Sequence, residues 1–339
     1  MNIPFANVYL TRGCNLKCGH CNVWKSTKVY PPIDYYMKNE RTLEWWKGFF
    51  SEWYEVYPET FFSIMGGEPL LVDWLPELVE YLNELGVLYT IISNCSRGLV
   101  KKFFDKVSYV RGFTASIDVK DDEPDIFRTV KSDIGLEALL KLKDKFGDKI
   151  DCCAECTLNR YNMRHLPKLL DFLDSKEIFI SVSVIDPKLS EYYDFSDVPY
   201  DEDIFVQKDA LTRSIFDYAK TIKHVHMPML LDYLYEDLPY SVPELADLIR
   251  YISIDSDGSV RYSLRIKGVD VPRNVSYRHL LSMKNDKAMK LLVTNFYEMD
   301  RETYDRGINW SGIYMSKCLR MKKHSHEDKI HYMETKEGM

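Results

Sequence analysis

Residues 60–92 read TFFSIMGGEPLLVDWLPELVEYLNELGVLYTII, and the hydrophobic pattern changes twice within them. Thr60-Phe61-Phe62-Ser63-Ile64-Met65 is rich in aromatic and β-branched residues and is stopped by Gly66-Gly67. From Leu75 to Leu85 the apolar residues fall three and four apart, as one buried helix face requires, and Gly86 stands where a helix-ending glycine would. Val87-Leu88-Tyr89-Thr90-Ile91-Ile92 is then nearly all apolar, which suits a strand covered on both faces. Strand, helix and strand in roughly 30 residues is the parallel βα unit.

The same rhythm runs outward in both directions. Strands are predicted over Asn7–Thr11, Gly112–Ile117, Ile150–Leu158 and Ile178–Ile185, and helices over Thr42–Val56, Leu99–Val107, Ile134–Phe146 and His165–Ser175. Six such alternations predict an α/β fold whose right-handed crossovers wind an open sheet or a partial barrel. Ligands in such folds sit at the C-terminal ends of the strands. The rhythm stops at Asp186, so residues 1–186 are read as the core and 187–339 as a smaller C-terminal unit. In that unit 187–206 reads as a long loop and 207–223 as a helix. Tyr251–Ser263 reads as a hairpin turning at Asp257-Gly258, followed by helices near 285–296 and a basic tail.

Composition narrows the function classes. The 339 residues carry 45 Lys+Arg against 52 Asp+Glu, a formal charge of −7, with 45% apolar residues. Such a chain builds a large core, and its acidity argues against generic electrostatic binding of nucleic acid. No apolar run approaches the ~20 residues of a membrane span. Met1-Asn2-Ile3-Pro4 lacks the basic and apolar regions of a signal peptide, so a cytoplasmic location is expected. Without export, the eight cysteines point to metal or redox chemistry rather than to disulfides.

Three of them stand in Cys14-Asn15-Leu16-Lys17-Cys18-Gly19-His20-Cys21, directly after the first strand. Three thiolates in one loop can converge on a soft metal centre. A four-iron cluster held by three thiolates keeps one iron open, as a catalytic metal requires. The competing reading of the loop alone is a zinc knuckle with His20 as fourth ligand, which would make the chain a binding module rather than an enzyme.

With further motifs in register, the chain resembles the radical S-adenosylmethionine (SAM) enzymes over residues 7 to about 186. Gly66-Gly67-Glu68-Pro69 resembles the family's GGEP segment, which holds the SAM amino group. Ser93-Asn94 resembles its Thr-Asn-Gly segment, with Cys95 in place of the glycine. Ser116-Ile117-Asp118 resembles its Ser-x-Asp segment at the ribose or carboxylate, and Arg128 stands where an arginine pairs with the methionine carboxylate. Thr157-Leu158-Asn159 with Asn162 and Leu166-Pro167 resembles the end of its fifth strand. The resemblance implies a partial (β/α)6 TIM-like barrel and a [4Fe-4S] cluster on Cys14, Cys18 and Cys21. It also implies SAM cleavage to a 5′-deoxyadenosyl radical, and an external electron donor of flavodoxin or ferredoxin type.

Elsewhere the residues leave alternatives open. On the fifth strand a period of two puts Cys153, Glu155 and Thr157 on one face and Cys152, Ala154 and Cys156 on the other. If Glu155 faces the lumen so does Cys153, which could then return a hydrogen atom to a substrate radical. Cys95, expected at the top of the barrel, is a second such thiol, and buried cysteines also serve as small hydrophobes. The hairpin resembles the entry to the auxiliary-cluster (SPASM or twitch) domains of peptide-modifying members. Arg261-Tyr262-Ser263 follows it where they carry cysteine, and Cys318 is alone in the unit. A cluster-free α+β substrate cap is expected there. A peptide or small metabolite is the expected substrate. A nucleoside or nucleic-acid base is the alternative, suggested by the basic tail and by Tyr30, Tyr35, Tyr36, Trp45, Trp46 and Trp53, which otherwise pack a core.

Overall fold

A computed structural model describes residues 5–21, 33–120, 128, 132–184, 206–207, 209–219, 221–226, 251–262 and 275–282. The predicted loop to 205, the helices near 285–296, Tyr30, Cys318 and the basic tail lie outside them.

Parallel strands β1 (Phe5–Thr11), β2 (Phe61–Gly66), β3 (Leu88–Ser93), β4 (Gly112–Ser116), β5 (Asp151–Leu158) and β6 (Phe179–Val184) lie side by side in chain order. Helices α1 (Ile33–Asn39), α2 (Leu43–Val56), α3 (Leu75–Leu85), α4 (Arg97–Phe104), α5 (Ser132–Phe146) and α6 (Leu166–Ser175) fall between them. Beyond residue 186 come α7 (Ala210–Ala219), β7 (Val225–His226), β8 (Tyr251–Ile254), β9 (Ser259–Tyr262), β10 (Val275–Ser276) and α8 (Tyr277–Ser282). β7 extends the sheet past β6. On the other edge β8 pairs in parallel with β1, and β9 and β10 continue antiparallel, giving ten strands.

Alternation along each strand separates two faces. Ala6, Val8 and Leu10, Phe62 and Ile64, Tyr89 and Ile91, Phe113 and Ala115, and Ala154, Cys156 and Leu158 pack with the helices in one apolar core. Their neighbours Asn7, Ser63, Thr90, Thr114, Cys153 and Ser181 are buried too, yet small or polar, and Thr90 and Thr114 share a 3.0 Å hydroxyl contact. Barrel interiors are ordinarily filled with bulky branched side chains, so this face is built unlike a packed one.

α2 shows why its sequence is so aromatic. Thr42 caps its start, accepting from the Trp45 amide, and Trp46, Phe49, Phe50 and Trp53 are wholly buried against the sheet. Each such ring contributes about 2–3 kcal/mol of burial. Trp45 stacks on Phe49 and meets Tyr277 edge-on, and Tyr36 is buried. These rings are therefore structural, and of those named in the sequence reading only Tyr35 is exposed among the described residues. Among the described residues no helix is long and apolar enough to cross a membrane.

Candidate active site

The ends of β1 to β5 converge on the cysteine loop. The Gly67 amide donates to the Thr11 carbonyl (2.8 Å) and the Glu68 amide to the Gly13 carbonyl (2.9 Å). A Cβ on Gly66 would stand 2.2 Å from the Thr11 carbonyl oxygen, and one on Gly67 2.1 Å from that of Gly13. The two glycines are needed because one backbone lies directly on another.

Glu68 is wholly buried, and its carboxylate accepts from the Leu70 amide (3.0 Å), Ser93 Oγ (2.8 Å) and the Asn94 amide (2.7 Å). It clamps the end of β2 to the end of β3, a use different from the ligand contact implied by its motif. Burial pushes its carboxyl up to about 7 against the pull of those three donors. Asn94 carries the link onward, since its Nδ2 donates to Asn15 Oδ1 (2.9 Å) and lies 3.8 Å from Cys14 Sγ. Asn15 Nδ2 in turn donates to Ser96 Oγ (2.7 Å).

Cys95 has a left-handed backbone, φ 58°, at the position where the resembled segment has glycine. Its thiol is enclosed in the apolar core, 3.6 Å from the Ser93 carbonyl. The expected top-face thiol is thus a core residue, because the left-handed turn carries its side chain inward. Burial holds that thiol well above the usual range.

At the end of β4, Asp118 is fully buried and accepts from Arg128 Nε (2.5 Å) and Nη2 (3.1 Å) and from the Thr157 amide (2.7 Å). Arg128 Nη2 also reaches Thr157 Oγ1 (3.3 Å). These two residues, read separately from the sequence, form one buried ion pair. Asn159 and Asn162 fold the chain after β5 by exchanging bonds, with Asn162 Nδ2 donating to the Thr157 carbonyl (2.9 Å). Ser116 is half-buried and pairs in register with Glu155, which accepts from Ser183 Oγ (3.3 Å). Cys153 is on the Glu155 face, its Sγ 3.3 Å from the Ala154 carbonyl.

Of the loop thiols Cys14 is exposed, Cys21 half-buried and Cys18 buried. Burial pushes the Cys18 thiol up to about 12, opposed by the nearby Arg128 guanidinium, and Cys14 and Cys21 add to the rise. Arg128 and Asp118 therefore stand within electrostatic reach of the cysteine loop. So does Glu68, which raises the Cys14 thiol.

The family model for the radical SAM superfamily matches residues 8–173, the span that contains these strand ends. Residues 8–173 of the chain form a radical SAM domain. Fe-coproporphyrin III synthase of Methanosarcina barkeri is 32% identical over 176 residues, 50% of this chain and 40% of that protein. An S-adenosylmethionine-dependent nucleotide dehydratase of Flammeovirga pacifica is 33% identical over 118 residues, 34% of this chain and 39% of that protein. The chain spans about two fifths of the length of these curated relatives. Streptococcus suis SuiB bound to S-adenosylmethionine has the same fold, with a TM-score of 0.60 at 16% identity over 90% of this chain and 72% of SuiB. SuiB bound to its precursor peptide SuiA gives 0.59 at 16% identity, over 86% and 66%.

A radical SAM chain works with S-adenosylmethionine and a [4Fe-4S] cluster, and the donor set here fits them. Among the described residues no three His, Cys, Asp or Glu side chains converge on a point that one ion would fill. Cys14, Cys18 and Cys21 lie within electrostatic reach of one another, and three thiolates are the donors that a four-iron cluster with one open iron requires.

Sequence reasoning missed Glu40, which accepts from both Thr11 Oγ1 (2.6 Å) and the Arg12 amide (3.1 Å) where the loop begins. It also missed Arg12 itself. Its only signal was adjacency, an arginine and a glycine immediately before Cys14.

Proposed function

We propose that this chain is a radical SAM enzyme that removes a hydrogen atom from a peptide or small-metabolite substrate. Cys14, Cys18 and Cys21 would hold the cluster. Bound there, the cluster and S-adenosylmethionine would supply 5′-deoxyadenosyl radical chemistry, given an electron from a flavodoxin- or ferredoxin-type donor. The observation that carries the reading is the meeting of three thiols, the Gly66-Gly67 backbone and the Asp118–Arg128 pair at one end of the sheet.

Each group has a chemical task. The SAM amino group is a donor, so the carbonyls of Gly66-Gly67 suit it, since the amides of Gly67 and Glu68 already donate to the loop. Glu68, Ser93 and Asn94 hold that segment in place. Arg128 would share its guanidinium between Asp118 and the methionine carboxylate, and Ser116 would serve the ribose. Glu155 and Cys153, on the opposite face of β5 from its core residues, would meet the substrate. Residues 187–339 would cap the site.

A second reading, a nucleotide substrate, is favoured by the dehydratase among the relatives. The buried state of Trp46, Trp53 and Tyr36 weighs against it, because those rings are not free to stack on a base. Anaerobic reconstitution should give about four irons per chain, and 5′-deoxyadenosine should form with reductant and S-adenosylmethionine. No 5′-deoxyadenosine from an iron-replete protein would sink the proposal. Stimulation by nucleotides but not by peptides or other small metabolites would select the second reading.

A further inference from the structure

Arg12 stands two residues before Cys14, and its side chain reaches the β8–β9 hairpin. Its Nε and Nη2 donate to Asp255 Oδ1 (2.8 Å) and Oδ2 (2.5 Å), across a sequence separation of 243. The pair is buried, 5% and 1% exposed, and the guanidinium carbon lies 4.2 Å from the Tyr9 ring centre and 5.2 Å from that of Tyr36.

Both ends of this contact are held by further hydrogen bonds. At the loop, Glu40 accepts from the Arg12 amide and from Thr11 Oγ1, and Thr11 Oγ1 accepts from the Gly13 amide (2.9 Å). At the hairpin, Asp255 Oδ1 also accepts from the Ser256 amide (2.9 Å). The Asp255 amide donates to the Ser259 carbonyl and its carbonyl accepts from Gly258, each at 2.8 Å. The hairpin is tied down in turn, for the Arg41 amide donates to the Ser256 carbonyl (2.8 Å) and Arg41 Nε to that of Asp257 (2.7 Å). A planar fork seated on a fixed carboxylate sets both distance and orientation.

We propose that Asp255 is a positioning residue for the cysteine loop: through Arg12, the β8–β9 hairpin fixes where Cys14 to Cys21 stand. Its consequence for the cluster rests on the function proposed above, whereas the strut itself does not. With the carboxylate neutralised, Arg12 keeps its ring contacts but loses its buried counter-charge. The guanidinium then turns to solvent and draws the start of the loop with it, while the strands remain paired. Cluster retention thereby depends on a hairpin outside the six-strand core.

The test uses the full chain carrying Asp255→Asn, Arg12→Lys or Arg278→Ala. The last is a control, because Arg278 fastens the same C-terminal unit to Glu52 on α2 (2.7 Å) without touching Arg12. Hydrogen exchange is read on the metal-free protein, and iron release to a chelator on the reconstituted one. Asp255→Asn should raise exchange of amides 13–21 roughly a hundredfold, with β3 to β5 unchanged. Iron release should quicken roughly tenfold. Arg12→Lys, which keeps the charge and loses the fork, should move both in the same direction by less, and it serves if Asp255→Asn does not fold. Unchanged exchange in the loop, equal loss of protection across all strands, or the same effect from Arg278→Ala would overturn the strut. Wild-type protein that takes up no iron would remove the cluster reading and leave the exchange result standing.

Discussion

Gly67 is the residue at which the site is least tolerant. Its Cα lies against the Gly13 backbone, so a methyl group meets a carbonyl oxygen at 2.1 Å and a carbonyl carbon at 2.5 Å, neither of them a flexible side-chain end. Gly67→Ala should therefore cost about 1–3 kcal/mol of stability and displace the cysteine loop. The checks are the urea midpoint and iron per chain after reconstitution, and full iron loading would refute the displacement. Glu68 makes a prediction with a pH sign. Its carboxyl, near 4.5 when unfolded, is raised to about 7 when folded, so between those values the native state holds a proton that the unfolded chain has released. Stability due to this group falls as pH rises from about 4.5 to 7, by at most on the order of 3 kcal/mol. Glu68→Gln cannot ionise, so its stability relative to wild type should improve across that window. A difference that stays flat with pH would show that Glu68 is ionised throughout. The position of these residues was legible in the sequence, because a double glycine after a strand signals close backbone approach. The backbone they lie against was not legible, since it belongs to the chain's own cysteine loop, more than 50 residues earlier.

At the scale of the element, the alternating strands read correctly because a half-apolar period of two leaves few other structures. The β5 faces were assigned from that period alone, and Ala154, Cys156 and Leu158 do lie in the core while Glu155 and Thr157 face away from it. Helix ends were less legible. α4 was expected over 99–107 and runs Arg97–Phe104, because terminal turns are fixed by tertiary packing more than by propensity. α2 posed a different difficulty, since an aromatic helix can be core or binding platform and composition does not separate them. Its four buried rings settle it as core. Trp46→Ala should then lower stability by about 3–5 kcal/mol. Equilibrium dialysis with S-adenosylmethionine, below the unfolding range, should give unchanged affinity. A large affinity loss without a stability loss would return the helix to the binding surface.

At the scale of the whole molecule, the strand order was recoverable from sequence for β1 to β6 and not for the hairpin. Nothing local in Tyr251–Tyr262 says that it joins the edge at β1, since the choice is made by contacts distant in sequence. Gly258 and Trp45 add to the specificity of that docking. Gly258 has φ 78°, a left-handed conformation that the turn requires, and it is seated on the Trp45 ring so closely that a Cβ would stand 2.6 Å from it and 3.0 Å from Arg41 Nε. Trp45 belongs to α2, which also carries Glu52, the partner of Arg278. A bulky residue at 258 is opposed twice, by backbone strain and by the indole, which is itself wedged between Phe49 and Tyr277. Gly258→Val should accordingly cost about 2–4 kcal/mol. That loss should fall on the hairpin first, with amides 252–261 exchanging faster and those of β3 to β5 keeping their protection, because β1 remains paired to β2 on its other side. Exchange that rises equally in every strand would mean that the ten-stranded sheet unfolds as one unit, with the hairpin as much a part of the barrel's stability as the six strands preceding it.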